Sequence, residues 1–228
     1  MKRLEEIQEW LYENRFGLFF FTQIAILFGS LVFPETLFEE RLMPMLFLLN
    51  IAAGILLISQ KKRLMWIFII LFIGAAIVFG NSMVDRIQTD SFQFVRMGIY
   101  FIFYSVVTLE IIRQVWQAKY VNKNVILGLM SGYISLGLIA FFLFLSIELA
   151  SPGSFEGMLM TGSSFATRMD SLLYYSYITL LTIGYGEIIP VTQVAQKAAI
   201  LTGLAGQFYL VIITAIVVGK FIGQTKKK

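Results

Sequence analysis

The sequence predicts an all-α membrane protein with six transmembrane helices and one shorter helix that enters the membrane and turns back. Of the 228 residues, 58% are hydrophobic and only 14% are charged. That leaves too little charged surface for a soluble domain of this length. The apolar residues also fall into long runs, of which six are long enough, or nearly so, to cross a bilayer and a seventh is not.

The six long runs approach the 20 or so residues that a membrane-spanning helix needs. They lie at approximately 17–33, 42–59, 64–84, 92–113, 122–149 and 196–223. No removable signal peptide is predicted, because acidic residues crowd the N-terminus and no small-residue cleavage site follows the first run.

The basic residues predict the topology of the chain. Thirteen lysines and arginines lie in one set of connecting segments, which includes both termini, and four lie in the other set. Arg96, within a predicted helix, completes the total of 18. We therefore expect a multi-pass protein of the cell membrane, surrounded by lipids, with both termini in the cytoplasm.

Two modules are predicted along the chain. Residues 1–121 are expected to hold an amphipathic N-terminal helix and four spans, and residues 122–228 a span, the short helix and a last span. The junction, residues 113–124, is polar and basic with apolar residues interspersed. This pattern is typical of a helix that lies at the inner membrane surface.

Composition excludes several classes of function. The chain has neither cysteine nor histidine, so disulfides and zinc-type sites have no ligands. No set of nucleophile, base and metal ligands converges, so no enzyme and no cofactor are predicted. The net charge of +4 comes from short basic clusters between apolar runs. It therefore indicates membrane topology, and no nucleic-acid partner is predicted.

The short seventh run, roughly residues 170–181, is followed by glycines and Pro190. At 1.5 Å per residue it would reach about 18 Å, about half a bilayer. Irregular backbone survives at membrane depth only where it is buried in protein or lines a watery cavity. The run therefore indicates a pore.

Residues 171–187 read SLLYYSYITLLTIGYGE and resemble the pore signature of potassium channels. The resemblance extends over about 107 residues, from Asn122 to the C-terminus, in the order of elements as well as in the string. It implies a homotetramer that conducts K⁺ passively and selectively, with K⁺ ions held in a filter segment, residues 182–186. The implied filter residues are Thr182, Ile183, Gly184, Tyr185 and Gly186, the first four of which would hold K⁺.

The residue types of the filter segment suit this role. Rings of carbonyl oxygens can replace the hydration shell of K⁺. Gly184 and Gly186 permit backbone conformations that are closed to other residues, and Thr182 can add a ring of hydroxyls at the inner end. Ile183 and Tyr185 are expected to point away from the axis and pack against the short helix.

Three departures from the family pattern affect the surroundings of the filter segment. Glu187 stands where aspartate is usual, and Leu181 where many members have a second threonine. Tyr174 and Tyr175 occupy places that carry tryptophans in many voltage-gated members. One hypothesis is that Tyr174 clamps Glu187 through a hydrogen bond; the alternative is that Glu187 is solvated at the outer mouth.

In the last span, Gly206 has two alternative interpretations. It lies twenty positions after Gly186, where similar channels place a hinge glycine, but close packing against the short helix would need a small residue equally.

A four-residue ladder from Gly206 predicts a lining face for the cavity and inner gate. Its members are Leu210, Thr214, Val218 and Ile222.

The first four spans resemble the voltage-sensing architecture without its chemistry. A sensing helix carries arginine at every third position, whereas Arg96 is followed at that spacing by Ile99, Ile102, Ser105 and Thr108. The module is either a degenerate sensor or an unrelated scaffold, and we favour the scaffold. Little or no voltage sensing is expected in either case.

Two other functions fit the sequence less well. A non-conducting regulatory subunit would assemble with other pore-forming chains, but the intact filter segment argues against it. A potassium transporter would need four pore loops in one chain or subunit pair, and this chain has one.

Overall fold

The computed structural model describes a largely helical chain. It describes residues 2–34, 37–59, 61–62, 65–70, 72–74, 90–157, 160 and 165–225. Two compact units, interleaved along the sequence, make up the fold. One comprises residues 1–88, 106–132 and 216–228, and the other residues 89–105 and 133–215. The predicted division of the chain at residues 121 and 122 remains a prediction.

The N-terminal part of the first unit consists of short helices. They are α1 (Lys2–Glu13), α2 (Arg15–Phe28) with a 3-10 turn (Gly29–Leu31), a π turn (Phe38–Leu42) and α3 (Met43–Ile58). Buried Asn50 of α3 donates through Nδ2 to the carbonyl of Phe19 at 3.2 Å and to Oγ1 of Thr22 at 2.6 Å. An unsatisfied amide would be costly in an apolar core, so these bonds fix how α3 lies against α2.

The remaining helices are longer. They are α4 (Asp90–Gln117), α5 (Lys123–Ala150), α6 (Phe165–Leu180) and the inner helix, composed of α7 (Gln193–Phe208), a π turn (Tyr209–Ile213) and α8 (Thr214–Thr225). Within the described residues, three helical stretches are long and apolar enough to cross a membrane. They are Met97–Gln117, Lys123–Ala150 and Gln193–Gln224.

These three stretches match the predicted spans at 92–113, 122–149 and 196–223. The first two predicted spans correspond to shorter apolar helical stretches, Arg15–Leu31 and Met43–Ile58. Most of the third predicted span, 64–84, lies outside the described residues. Six spans therefore remain a prediction.

The end of α4 is capped by a residue of the inner helix. Nζ of Lys220 donates to the carbonyls of Ala118 at 2.9 Å, Val115 at 3.4 Å and Trp116. A cation suits the last turn of a helix, where carbonyls without partners carry partial negative charge. The predicted surface helix over 113–124 is wrong, because α4 continues to Gln117 and residues 118–122 are not helical.

A small antiparallel sheet was not predicted from the sequence. Strand β1 (Phe155–Gly157) pairs with β2 (Ile188–Pro190), and Gly157 lies opposite Ile188. Buried Glu148, near the end of α5, accepts hydrogen bonds from the backbone N–H groups of Gly153 at 2.9 Å and Phe155 at 3.2 Å. The sheet thus ties the segment after residues 182–186 to the segment that follows α5.

Aromatic packing holds β1 against two helices. The ring of Phe155 lies 5.3 Å from that of Phe144 in α5 and 5.4 Å from that of Tyr175 in α6. The rings of Phe144 and Tyr175 are themselves 5.2 Å apart. Such clusters contribute roughly 0.5–1.5 kcal/mol per pair beyond the burial of their area.

Replacement of Gly157 by alanine should destabilise the sheet more than the same change at Gly153. Both glycines have positive φ, 144° and 84°. An added Cβ at Gly157 would collide with the carbonyl of Glu187, whereas at Gly153 it would meet nothing within 4 Å. Gly153→Ala should lower the free energy of unfolding only by the strain of a side chain at positive φ, about 1–2 kcal/mol. Gly157→Ala should lower it further, because of the collision. Thermal unfolding in detergent measures both variants, and equal midpoints would contradict the prediction.

Candidate functional site

The site begins at the C-terminal end of α6, where the helix passes into residues 181–187. The N–H of Leu181 donates to the carbonyl of Tyr177 at 2.8 Å, and that of Thr182 to Thr179 at 3.0 Å. The N–H of Ile183 donates to the carbonyl of Ile178 at 2.9 Å. These bonds fix the direction in which the following segment leaves the helix.

The backbone of residues 182–186 alternates in handedness. φ is positive at Thr182 (57°), Gly184 (60°) and Gly186 (92°), but not at Ile183 or Tyr185. Alternation of this kind turns successive N–H groups to one side of the chain and their carbonyls to the other. Thr182 is the one non-glycine residue with positive φ in the described part of the chain, and such strain clusters at functional sites.

The side chains of this segment are exposed. Tyr185 is 72% exposed and Ile183 is 46% exposed. The expectation that both pack against the short helix, which is α6, stays a prediction. The apolar area that these side chains carry is therefore free to be covered by another molecule.

Glu187, the residue after the segment, is held by α6. The hydroxyl of Tyr174 is hydrogen-bonded to the carboxylate of Glu187. A negative acceptor stabilises the protonated phenol, and this bond raises the pKa of Tyr174 to about 12. Whether this contact acts as the clamp proposed from the sequence stays a prediction.

Tyrosines and a glycine of α5 and α6 fasten the inner end of the site. The hydroxyl of Tyr177 donates to the carbonyl of Ile134 at 2.8 Å, and Gly137 leaves the space that the Tyr177 ring fills. The hydroxyl of Tyr133 donates to the carbonyl of Leu180 at 3.3 Å. These contacts were not predicted from the sequence. Tyrosines within otherwise apolar helices were the signal that could have indicated them, because a buried tyrosine hydroxyl usually has a hydrogen-bond partner.

Gly206 is buried against the last residue of α6. A Cβ on Gly206 would collide with the carbonyl oxygen of Leu180 and come within 2.9 Å of Cδ1 of the same residue. The neighbouring Gly203 is different, because its Cβ would lie 3.9 Å from the carbonyl of Thr179, an ordinary contact. This geometry favours close packing as the reason for glycine at 206; the hinge remains a prediction.

The predicted ladder does not stay on the face of Gly206. The buried residues around Gly206 on the inner helix are Thr202, Tyr209 and Ile213. By contrast Leu210, Val218 and Ile222 are exposed and Thr214 is half-buried. A π turn over Tyr209–Ile213 adds a residue to one turn and shifts the register that a four-residue spacing assumes. The roles of these four residues in a cavity or gate stay predictions.

The electrostatics of the site suit a cation. The C-terminus of α6 directs its partial negative charge toward the start of residues 182–186. Oγ1 of Thr182 lies at this end and accepts a hydrogen bond from Nε2 of Gln207 at 3.3 Å. Among the described residues, no cluster of three or more acidic side chains could hold a metal ion.

Comparison with known proteins identifies an ion channel domain. Residues 128–222 match the model of a family described as Ion channel. This range contains the end of α6, residues 182–186 and most of the inner helix. The match also bears out the prediction that the chain is not an enzyme.

A relative supports the resemblance to potassium channels. Over 86 residues the chain is 29% identical to the human protein named potassium voltage-gated channel subfamily A member 7. The aligned part is 38% of this chain and 19% of the relative, so the chain spans about a fifth of that protein's length. No solved structure matches the chain.

Replacement of Gly206 by alanine should destabilise the fold, whereas Gly203→Ala should be tolerated. The extra methyl at 206 forces the inner helix away from Leu180, and overpacking of this kind typically costs about 1–3 kcal/mol. Thermal unfolding of the two purified variants measures the difference. If Gly206→Ala kept the stability of the parent protein and changed only its opening, the hinge interpretation would be correct.

Proposed function

We propose that the chain is one subunit of a potassium-selective channel, because residues 128–222 match the ion channel family and part of the chain is similar to a human potassium channel subunit. Residues 182–186 form its selectivity filter. K⁺ passes down its gradient through the filter, and the carbonyl oxygens of Thr182, Ile183, Gly184 and Tyr185 replace water around the ion.

The observation that carries the proposal is the alternating backbone at Thr182, Gly184 and Gly186. We expect such alternation to turn successive carbonyls toward one side of the chain, at the negative end of α6, where a cation is stabilised. In a packed core each carbonyl would need its own hydrogen-bond donor, so a row of carbonyls that face one way would be unfavourable there. The arrangement supports coordination of ions that shed their water.

One chain supplies one wall of such a pore, and we propose that four copies complete it around a common axis. The exposed Ile183 and Tyr185 support this assembly, because the side chains opposite the carbonyls need a neighbour to pack against. The remaining exposed apolar residues of the inner helix, such as Phe208 and Val211, suit contact with lipid or with another copy.

The proposal includes an orientation in the membrane. Most lysines and arginines lie in the segments that also contain the termini, so both termini face the cytoplasm. Opening depends little on membrane voltage, because the fourth predicted span carries Arg96 without further arginines at the spacing of a sensor.

Reversal potentials test the selectivity. In bilayers with K⁺ on one side and Na⁺ on the other, the purified protein should pass K⁺ far better than Na⁺, and its conductance should change only shallowly with voltage. Near-equal permeability would contradict the proposal. Absence of flux in an assembled protein would favour a regulatory subunit, and a monomeric or dimeric mass of the conducting species would overturn the assembly of four.

A pair of glycine variants provides the control for this experiment. Neither an alanine at Gly184 nor one at Gly219 meets another atom within 4 Å, but only Gly184 has positive φ. Gly184→Ala should therefore abolish selective K⁺ flux while the assembly keeps its mass, and Gly219→Ala should conduct like the parent protein.

Tyr174→Phe should shorten the time for which the filter stays conducting. The substitution removes the hydroxyl that holds Glu187 and leaves the outer end of the filter to the β1–β2 pairing alone. Without this hydrogen bond the carboxylate of Glu187 is free to move, so inactivation should quicken. Single-channel recording measures it, with Tyr120→Phe, an exposed tyrosine elsewhere, as the control. Unchanged kinetics would show that Glu187 is merely solvated.

A further inference from the structure

We propose that Gln207 of the inner helix determines how tightly the inner end of the filter binds cations, by positioning the hydroxyl of Thr182. The ligand is a cation of the size of K⁺ that has shed water on one side, and Ba²⁺, of similar radius, is its probe. This inference rests on the proposed function, since it assigns a role at the same filter.

The contact joins two side chains at the mouth of the site. Nε2 of Gln207 donates to Oγ1 of Thr182 at 3.3 Å, and both residues are exposed. Thr182 is β-branched and has positive φ (57°), so its side chain has few rotamers open to it. One further hydrogen bond is enough to select the orientation of its hydroxyl.

Gln207 lies between two residues that anchor the inner helix, one to α6 and the other to α5. Gly206, on one side, is buried against the carbonyl of Leu180. Tyr209, on the other, is buried with its ring 5.7 Å from that of Tyr133. The hydroxyl of Tyr133 donates to the same Leu180 carbonyl. The backbone of Gln207 is therefore held at a fixed height beside the start of the filter.

The bond changes what Thr182 can offer an ion. A hydroxyl oxygen has two lone pairs. When one lone pair accepts the hydrogen bond from Gln207, the other remains available for a cation. The hydroxyl oxygen then does not need a water molecule as its hydrogen-bond donor. The adjacent Leu181, 45% exposed, offers only an apolar side chain.

In an assembly of four, these contacts repeat around the axis. Four hydroxyl oxygens, each held in a fixed orientation by a Gln207 amide, make a ring of hard oxygen ligands at the inner end of the filter. Such ligands suit K⁺ and Ba²⁺. Without Gln207 the hydroxyls would reorient toward water, and each ion would have to order them again on arrival.

Block of the K⁺ current by Ba²⁺ from the cytoplasmic side measures this binding. The variant Gln207→Leu removes the amide at similar volume, and Gln207→Glu keeps the length while it replaces the donor by a charge. Gln193→Leu is the matched control, because Gln193 is an exposed glutamine at the start of α7, fourteen residues and therefore about 21 Å away along the helix.

We expect Gln207→Leu to raise the dissociation constant of Ba²⁺ at least about fivefold, Gln207→Glu to lower it, and Gln193→Leu to leave it unchanged. In a Thr182→Val background, Gln207→Leu should have no further effect. The concentration of Ba²⁺ that protects the purified protein from thermal unfolding gives the same comparison without any need for conduction.

Two results would overturn the inference. One is a parent-like Ba²⁺ affinity in Gln207→Leu by both measurements. The other is an equal change from Gln207→Leu with threonine or valine at 182, which would show that the amide acts without the hydroxyl. Failure of the proposed function looks different, since the parent protein itself would then show no preference for K⁺ over Na⁺.

Discussion

The left-handed backbone at Thr182 is the constraint on which the rest of the site depends. This conformation costs a β-branched residue about 1–2 kcal/mol, and it persists only where the surroundings over-determine it. Here the support comes from both ends. The bonds of the last turn of α6 and the burial of Gly206 against Leu180 fix the inner end, while Tyr174 and the strand pair hold the outer end at Glu187. In the proposed filter, carbonyls that coordinate ions cannot also hold the backbone in place, so neighbouring elements have to hold it.

The sequence predicted α6 and the filter segment because both follow from local signals. An apolar run too short to cross a membrane, followed by alternating glycines, describes the short helix and its irregular continuation within about 20 residues. The sheet could not be predicted in the same way. Its strands have three residues each and lie 31 residues apart from Gly157 to Ile188, and one of them ends in Pro190, which argues against a strand on propensity.

Sequence periodicity did not predict which residues share a face of the inner helix. A regular four-residue ladder from Gly206 assumed one unbroken α-helix, but the π turn at Tyr209–Ile213 changes the register midway. The tyrosine pair and the Gln207 contact were missed for a related reason. Each joins residues from separate helices, such as Tyr133 and Leu180, and a single sequence contains no record of which helices meet.

The cap that Lys220 places on the end of α4 has a mechanical consequence. Its ammonium group serves three carbonyls within one short stretch, residues 115–118, and Oε1 of Gln224, one turn further on, accepts from the N–H of Val121 at 3.0 Å. If the tail of the inner helix moved alone, the hydrogen bonds to these three carbonyls and from the N–H of Val121 would all break. The linker after α4 and the tail of the inner helix therefore behave as one rigid part, and a force applied to either is carried by both.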